Sequence, residues 1–509
     1  MKKMIAIVLS AALTLTAAAS LAENDQDSQM VNHVITANVE VQNGQLPPAM
    51  RGSNSEQQKG QLPPAMPGGG NKQQNGQLPP AMRGSNSEQQ NGQQPPAMPG
   101  SDGEQQNGQQ PPAMPGSNSE QQNGQQPPAM PDGNAPGGTE GMPGGPGGMD
   151  APTDYSAANE LTESSDGTTY TSSADGENAV LVSGSEVTLA NATVNKTGSS
   201  SGDSSDFYGV NASVLATDGA TLTVSDTTVT TDGAHANGIF SYGAGTTVNV
   251  SNTTITTTGS NSGGLMTTGG AAMNATNVTV STSGNSSAAI RSDRGGGTVN
   301  AAGGDYATSG VGSPAIYSTA DITVSDATLS ATNSEAVVIE GGNSVTLTGV
   351  DITGNNATLN GQSTQKTNVL IYQSMSGDAS MGASEFTMTD GTMTAETGSM
   401  FHVTNTTTKI NLENVTFTYA SDSNIFLDAS ADSWGSSGSN GGNVTLNLTN
   451  QAISGAILSD SVSSVAVILD SGSTWTLQGD SYISSFTGDL ANVDLNGYTL
   501  YIDGVAVTK

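Results

Sequence analysis

One pattern recurs down the second half of this 509-residue chain: apolar-x-apolar-x-[Asn/Asp/Gly]-x-x-apolar. The turn residue falls at Asn191, Asp226, Asn252, Asn277, Gly303, Asp326, Gly349, Asp390, Asn414, Asn450, Gly479 and Gly497. Asn, Asp and Gly tolerate positive φ with the least strain, so each copy reads as strand, tight left-handed turn, strand. Most intervals are 23 to 29 residues, and the longer ones, of 35, 41 and 36, leave room for insertions. A coil of that length holds three short strands, and stacked coils form a parallel β-helix. The pattern therefore predicts an all-β chain: a single right-handed parallel β-helix of about 11–12 coils over residues 153–509, closed by a C-terminal cap. At about 4.8 Å per rung such a rod is roughly 58 Å long.

Composition suits a solenoid better than a compact enzyme. Aromatic residues make up 4% of the chain and charged residues 11%. Few large side chains are then available to offset ordering entropy, unless each coil buries a narrow aliphatic stripe against its neighbours. At the amino terminus, Lys2 and Lys3 precede an apolar run from Ile5 to Ala19, and Ser20-Leu21-Ala22 offers small residues for cleavage. Residues 1–22 read as a secretory signal peptide, which places the protein outside the cell, secreted or non-covalently retained at a bacterial surface. No later segment is apolar enough to insert into a membrane. The absence of cysteine excludes disulfides, thiolate metal sites and lipidation at a cysteine.

Residues 23–152 are a different material. Pro-Pro-Ala-Met recurs at Pro47, Pro63, Pro79, Pro95, Pro111 and Pro127, a strict period of 16, with Gln, Asn, Gly, Ser and Glu between copies. Such a Pro/Gln/Gly-rich segment buries no core and reads as a disordered stalk or spacer. The formal net charge is −33; from Thr153 onward there are 33 acidic and six basic residues, giving −27. That surface repels nucleic acid and anionic membranes. Stacked Asp side chains could hold Ca²⁺, although no calcium-loop motif occurs and no other cofactor is implied.

Scarce residue types cluster on the rod. Its only two arginines, Arg291 and Arg294, flank Asp293 in Ala-Ile-Arg-Ser-Asp-Arg-Gly-Gly-Gly, and two more unusual stretches carry Tyr372, Ser374 and Asp378, and Trp434. All follow the same strand of their coils, so their loops emerge on one side. Aligning the coils puts Arg291, Tyr317 and Tyr372 in one outward column beside inward Ile290, Ile316 and Ile371. Tyr faces, Arg forks and a Trp loop suit a carbohydrate-binding groove built from Arg291, Asp293, Arg294, Tyr317, Tyr372, Ser374, Asp378 and Trp434. The competing reading has the arginines pairing with local Asp residues to pin loops, with Trp434 covering the core.

The turn ladder resembles the right-handed β-helix of pectin-lyase-like proteins. More narrowly, residues 286–298, 372–378 and 434–441 resemble a family of exported, adhesin-like β-helix proteins of anaerobic Gram-positive bacteria. The resemblance implies export and display, with a glycan or a host or bacterial surface as partner. Its enzymatic relatives suggest a polysaccharide lyase or glycoside hydrolase as the alternative, but no catalytic set is legible: the rod has no His-Gly and no Arg-Ile-Lys, and only His235 and His402. A third reading comes from Thr-x-Thr pairs after each turn, such as Thr228 and Thr230 or Thr254 and Thr256, which resemble the ranks of ice-binding proteins.

Overall fold

The computed structural model describes residues 151–508. The segments read from the sequence as a signal peptide (1–22) and a stalk (23–152) lie outside them, except for residues 151 and 152. Within the described chain almost every strand pairing is parallel, and strands from successive coils stack in two long sheets, one of 19 strands and one of 11. This is a parallel β-helix.

A single coil shows how the sequence generates it. Ile239–Tyr242 lies in the 11-stranded sheet; the chain then turns into Thr247–Ser251 and, through Asn252, into Thr254–Thr257. The last two strands belong to the 19-stranded sheet, and in the next coil they fuse into Ala271–Thr282. Along the 19-stranded sheet burial alternates residue by residue, with Val248, Val250 and Ile255 inward and Thr247, Asn249 and Thr254 outward. The inward column of the other sheet runs Val180, Val214, Ile239, Leu265, Ile290, Ile316, Val337, Val369, Phe401, Leu427 and Ile457. Aliphatic side chains stacked on like neighbours make the core thin and continuous.

The corner residues form a second continuous feature. Ten of the twelve turn positions, Asn191 through Asn450, stack in register and all have positive φ, from 47° to 68°. Their side chains bond up the stack: Asn277 Nδ2 donates to Asn252 Oδ1 at 2.9 Å, and Asn191 Nδ2 to Asp166 Oδ1 at 2.8 Å. Left-handed backbone costs about 1–2 kcal/mol for an ordinary residue; Asn and Asp reduce that cost and return a hydrogen bond. Gly479 and Gly497 belong elsewhere. Gly479 is not left-handed, and both follow the strands Thr474–Thr476 and Val493–Asp494, one corner further along the coil. The ladder corner of those coils is filled instead by Asp470–Ser473 and the short turn Leu490–Asn492. The chain ends with Val505–Ala506 pairing antiparallel to Leu500–Ile502.

The two sheets differ in what covers their outer sides. Strands of the 11-stranded sheet are buried on both faces; Val337–Glu340 and Thr367–Tyr372 have no exposed residue. An extra layer of loops and one short helix, Asp203–Tyr208, therefore lies over that sheet. That layer contains the sequence's unusual stretches.

Candidate ligand-binding face

Strand register places one outward column along the 11-stranded sheet: Leu181, Leu215, Phe240, Met266, Arg291, Tyr317, Val338, Leu370, His402, Asp428 and Leu458. Arg291 and Tyr317 are direct neighbours, as the sequence alignment expects. Tyr372 is not in their column. It pairs with Glu340, and Leu370 takes the expected place, with Val369 rather than Ile371 beneath it in the inward column. A shift of two residues preserves which face a side chain takes, and a strand buried on both sides carries no alternation to fix its register. Tyr372 thus shares the face but sits one column over.

This outward face is closed to solvent. Arg291, Asp293, Tyr317, Tyr372 and Asp378 are between 0% and 4% exposed, and Trp434 is 9% exposed. Tyr317, Tyr372 and Trp434 form a small apolar cluster with Ala288, Val338 and Leu370, outside the main core. Tyr372 and Trp434 are in ring contact at 4.4 Å between centroids. Trp434 is held in turn by its carbonyl, which accepts from Asn440 Nδ2 at 2.9 Å. The loops make a second, thinner core.

Charged groups stitch this layer down. Arg291 donates from Nε and Nη2 to Asp293 Oδ2, at 3.0 and 2.7 Å. Arg294 donates from Nε and Nη2 to Asp378 Oδ1, at 3.1 and 2.7 Å, 84 residues away in sequence. The same guanidinium lies 4.0 Å from the Phe207 ring centroid, so one side chain ties the helix, its own loop and the loop after Tyr372 together. Glu340, fully buried, accepts from the hydroxyls of Tyr317, Tyr372 and Ser374. All eight residues singled out from the sequence are therefore brought to one side of the rod, chiefly facing one another.

Glu340 was not among them. Its signal in the sequence is a lone acid ending the apolar run Val337-Val338-Ile339. Two histidine pairs were also missed: His235 Nδ1 lies 2.8 Å from Asp206, and His402 Nε2 lies 3.4 Å from Asp432. Burial works to raise the Asp432 carboxyl, but His402 and the Thr364 and Ser363 donors outweigh it and hold it well below the usual carboxylate range. Among the described residues no group of three His, Asp or Glu side chains is placed to hold a metal ion.

Electrostatics of the patch give a pH signature. Burial pushes the Asp293 carboxyl up to about 7, opposed by Arg291 and assisted by Asp378. Burial also raises Glu340, against its hydroxyl donors. An acid whose folded pKa exceeds its unfolded value binds more protons when folded, so its contribution to stability falls as pH rises between the two values. For Asp293 that window runs from about 4 to about 7. The melting temperature should therefore rise as the pH is lowered from 8 to 5, and Glu340→Gln should flatten that slope. A slope identical in parent and variant would remove Glu340 as a contributor.

Compared with known proteins, the chain matches no protein-family model, no curated protein and no solved structure.

Proposed function

We propose that this protein is an exported, surface-associated binding rod, adhesin-like in its organisation, whose ligand is a glycan. The observation that carries the reading is an exposed hydroxyl-rich column in strict register along the 19-stranded sheet. Thr193, Thr228, Thr254, Thr279, Asp305, Thr328, Asp351, Thr392 and Thr416 follow one another rung by rung. Amide ladders run on the neighbouring strands, where Asn300 donates to Asn274 and Asn274 to Asn249. A long, shallow surface of hydroxyls and amides suits a polymer of hydroxylated rings better than a compact charged ligand. The signal sequence and the proline-rich repeat support export and display, and the pectin-lyase-like and adhesin-like resemblance points the same way.

A lyase or hydrolase would need a base that reaches substrate, whereas Arg291 and Arg294 are engaged with Asp293 and Asp378 beneath loops. The threonine register also favours ice binding as a second reading, although Asp305 and Asp351 interrupt the ranks, and Asp351 accepts from Thr392 Oγ1 at 2.6 Å. A glycan array probed with the purified protein separates these readings. Saturable binding without chain cleavage supports the proposal, while cleavage of a bound polysaccharide favours the enzyme. Thermal hysteresis with an empty array favours ice.

A further inference from the structure

One corner of the rod near the carboxyl end carries a cavity. Ala452–Ser454 passes to Ala456–Ser459 through Gly455 alone. The coil below makes the same corner with residues 419–424, between Thr416–Thr418 and Ile425–Ala429. The coil above uses residues 477–480, between Thr476 and Ser481. A one-residue corner between two longer ones leaves a notch. Gly455 cannot be enlarged to fill it, because a Cβ there would meet Phe426 backbone nitrogen at 2.8 Å. The notch is a cavity of about 300 Å³, at the lower end of the range for ligand pockets.

Its chemistry is distinct from the rest of this acidic molecule, since no Asp, Glu, Lys, Arg or His lines it. Tyr419, 36% exposed, lines the cavity, and its ring stacks on Phe417 at 5.9 Å between centroids. Its hydroxyl accepts from the Ser454 N–H at 2.8 Å, which fixes the ring. Burial pushes the phenol up to about 12, so its O–H stays a donor. Asn424 Nδ2 donates to the Gln478 carbonyl at 2.7 Å, and Gln478 Nε2 to Ser454 Oγ at 2.9 Å. These bonds orient both amides, while Asn424 Oδ1 and Gln478 Oε1 accept from no other described residue. Met400 and Ile425 contribute an apolar floor.

We infer that this notch is a binding site for one ring of a neutral sugar, with Tyr419 as the stacking platform and Asn424 and Gln478 as hydroxyl readers. An apolar ring face paired with fixed amide oxygens matches a pyranose, which has a C–H face and a hydroxyl edge. The inference rests on the glycan-binding reading and gives it a location.

The test uses the full chain on an array of neutral and acidic saccharides, followed by titration of the best binder against Tyr419→Ala, Gln478→Ala and Tyr419→Phe. A neutral saccharide should bind, with affinity reduced at least tenfold in each alanine variant and by less in Tyr419→Phe, which keeps the stacking ring but loses its bond to Ser454. Melting curves verify folding, and Gln478→Ala, at a half-buried position, keeps the test valid if Tyr419→Ala is unstable. Binding unaffected by both alanine variants, or confined to acidic saccharides, overturns the pocket and leaves the glycan reading standing. An array on which nothing binds overturns both.

Discussion

Replacing Arg291 with alanine should cost the rod about 3–5 kcal/mol of stability, because it leaves the Asp293 carboxylate buried without its partner. Arg291 is 3% exposed and Asp293 fully buried, and their 2.7 Å contact is shielded from water by the loops above. Removing both charges is a different matter. Arg291→Ala/Asp293→Ala leaves no orphaned charge and should recover most of the loss, since a buried pair contributes far less than the damage done by splitting it. The single variant should also be least impaired at low pH, where Asp293, already raised to about 7, takes up a proton. Thermal or urea melting of the parent, both single variants and the double variant measures the coupling. If Arg291→Ala melts with the parent while glycan binding falls, the side chain is a ligand contact after all.

A comparable or larger loss should follow a single added methyl group at Gly284. Gly198, Gly233, Gly259, Gly284 and Gly310 stack at the corner after the threonine strands, the last four each against the carbonyl of the one before. A Cβ at Gly284 would lie 1.9 Å from the Gly259 carbonyl oxygen and 2.3 Å from its carbon. Backbone, not a flexible side chain, is in the way, and neighbouring coils hold it from both ends. Ser262, Ser287 and Ser313 knit the same corner: Ser287 Oγ donates to the Gly259 carbonyl and receives the Ser262 N–H. Gly284→Ala should therefore destabilise by at least about 3 kcal/mol, at the upper end of overpacking effects, and open the corner to protease. Thr279→Ala, on the exposed column, should stay within about 0.5 kcal/mol of the parent. Equal melting temperatures for the two variants would mean that the coil corners are far softer than their packing implies.

The repeating part of the molecule is legible in the residues alone. Asn252, Asn277 and Asp326 announced a left-handed corner because few residues accept that backbone, and the flanking Val/Ile/Leu alternation announced which side faces inward. Both signals are local, and stacking repeats them until the architecture is over-determined. Gly479 and Gly497 match the turn pattern yet sit at a different corner, because glycine marks more than one kind of corner and only the strand pairing distinguishes them. The unusual loops were also legible as belonging to one side of the rod. Their closure was not. Period-two alternation says that Arg291, Tyr317 and Tyr372 point away from the core, but whether that face meets water depends on the helix Asp203–Tyr208 and the loops bearing Asp378 and Trp434. Those contacts join residues 84 positions apart. Glu340 is silent in sequence because its importance lies in three hydroxyls that only folding brings to it. The neutral notch at Tyr419 depends on the differing lengths of three adjacent corners, a relation that exists only after the coils have stacked.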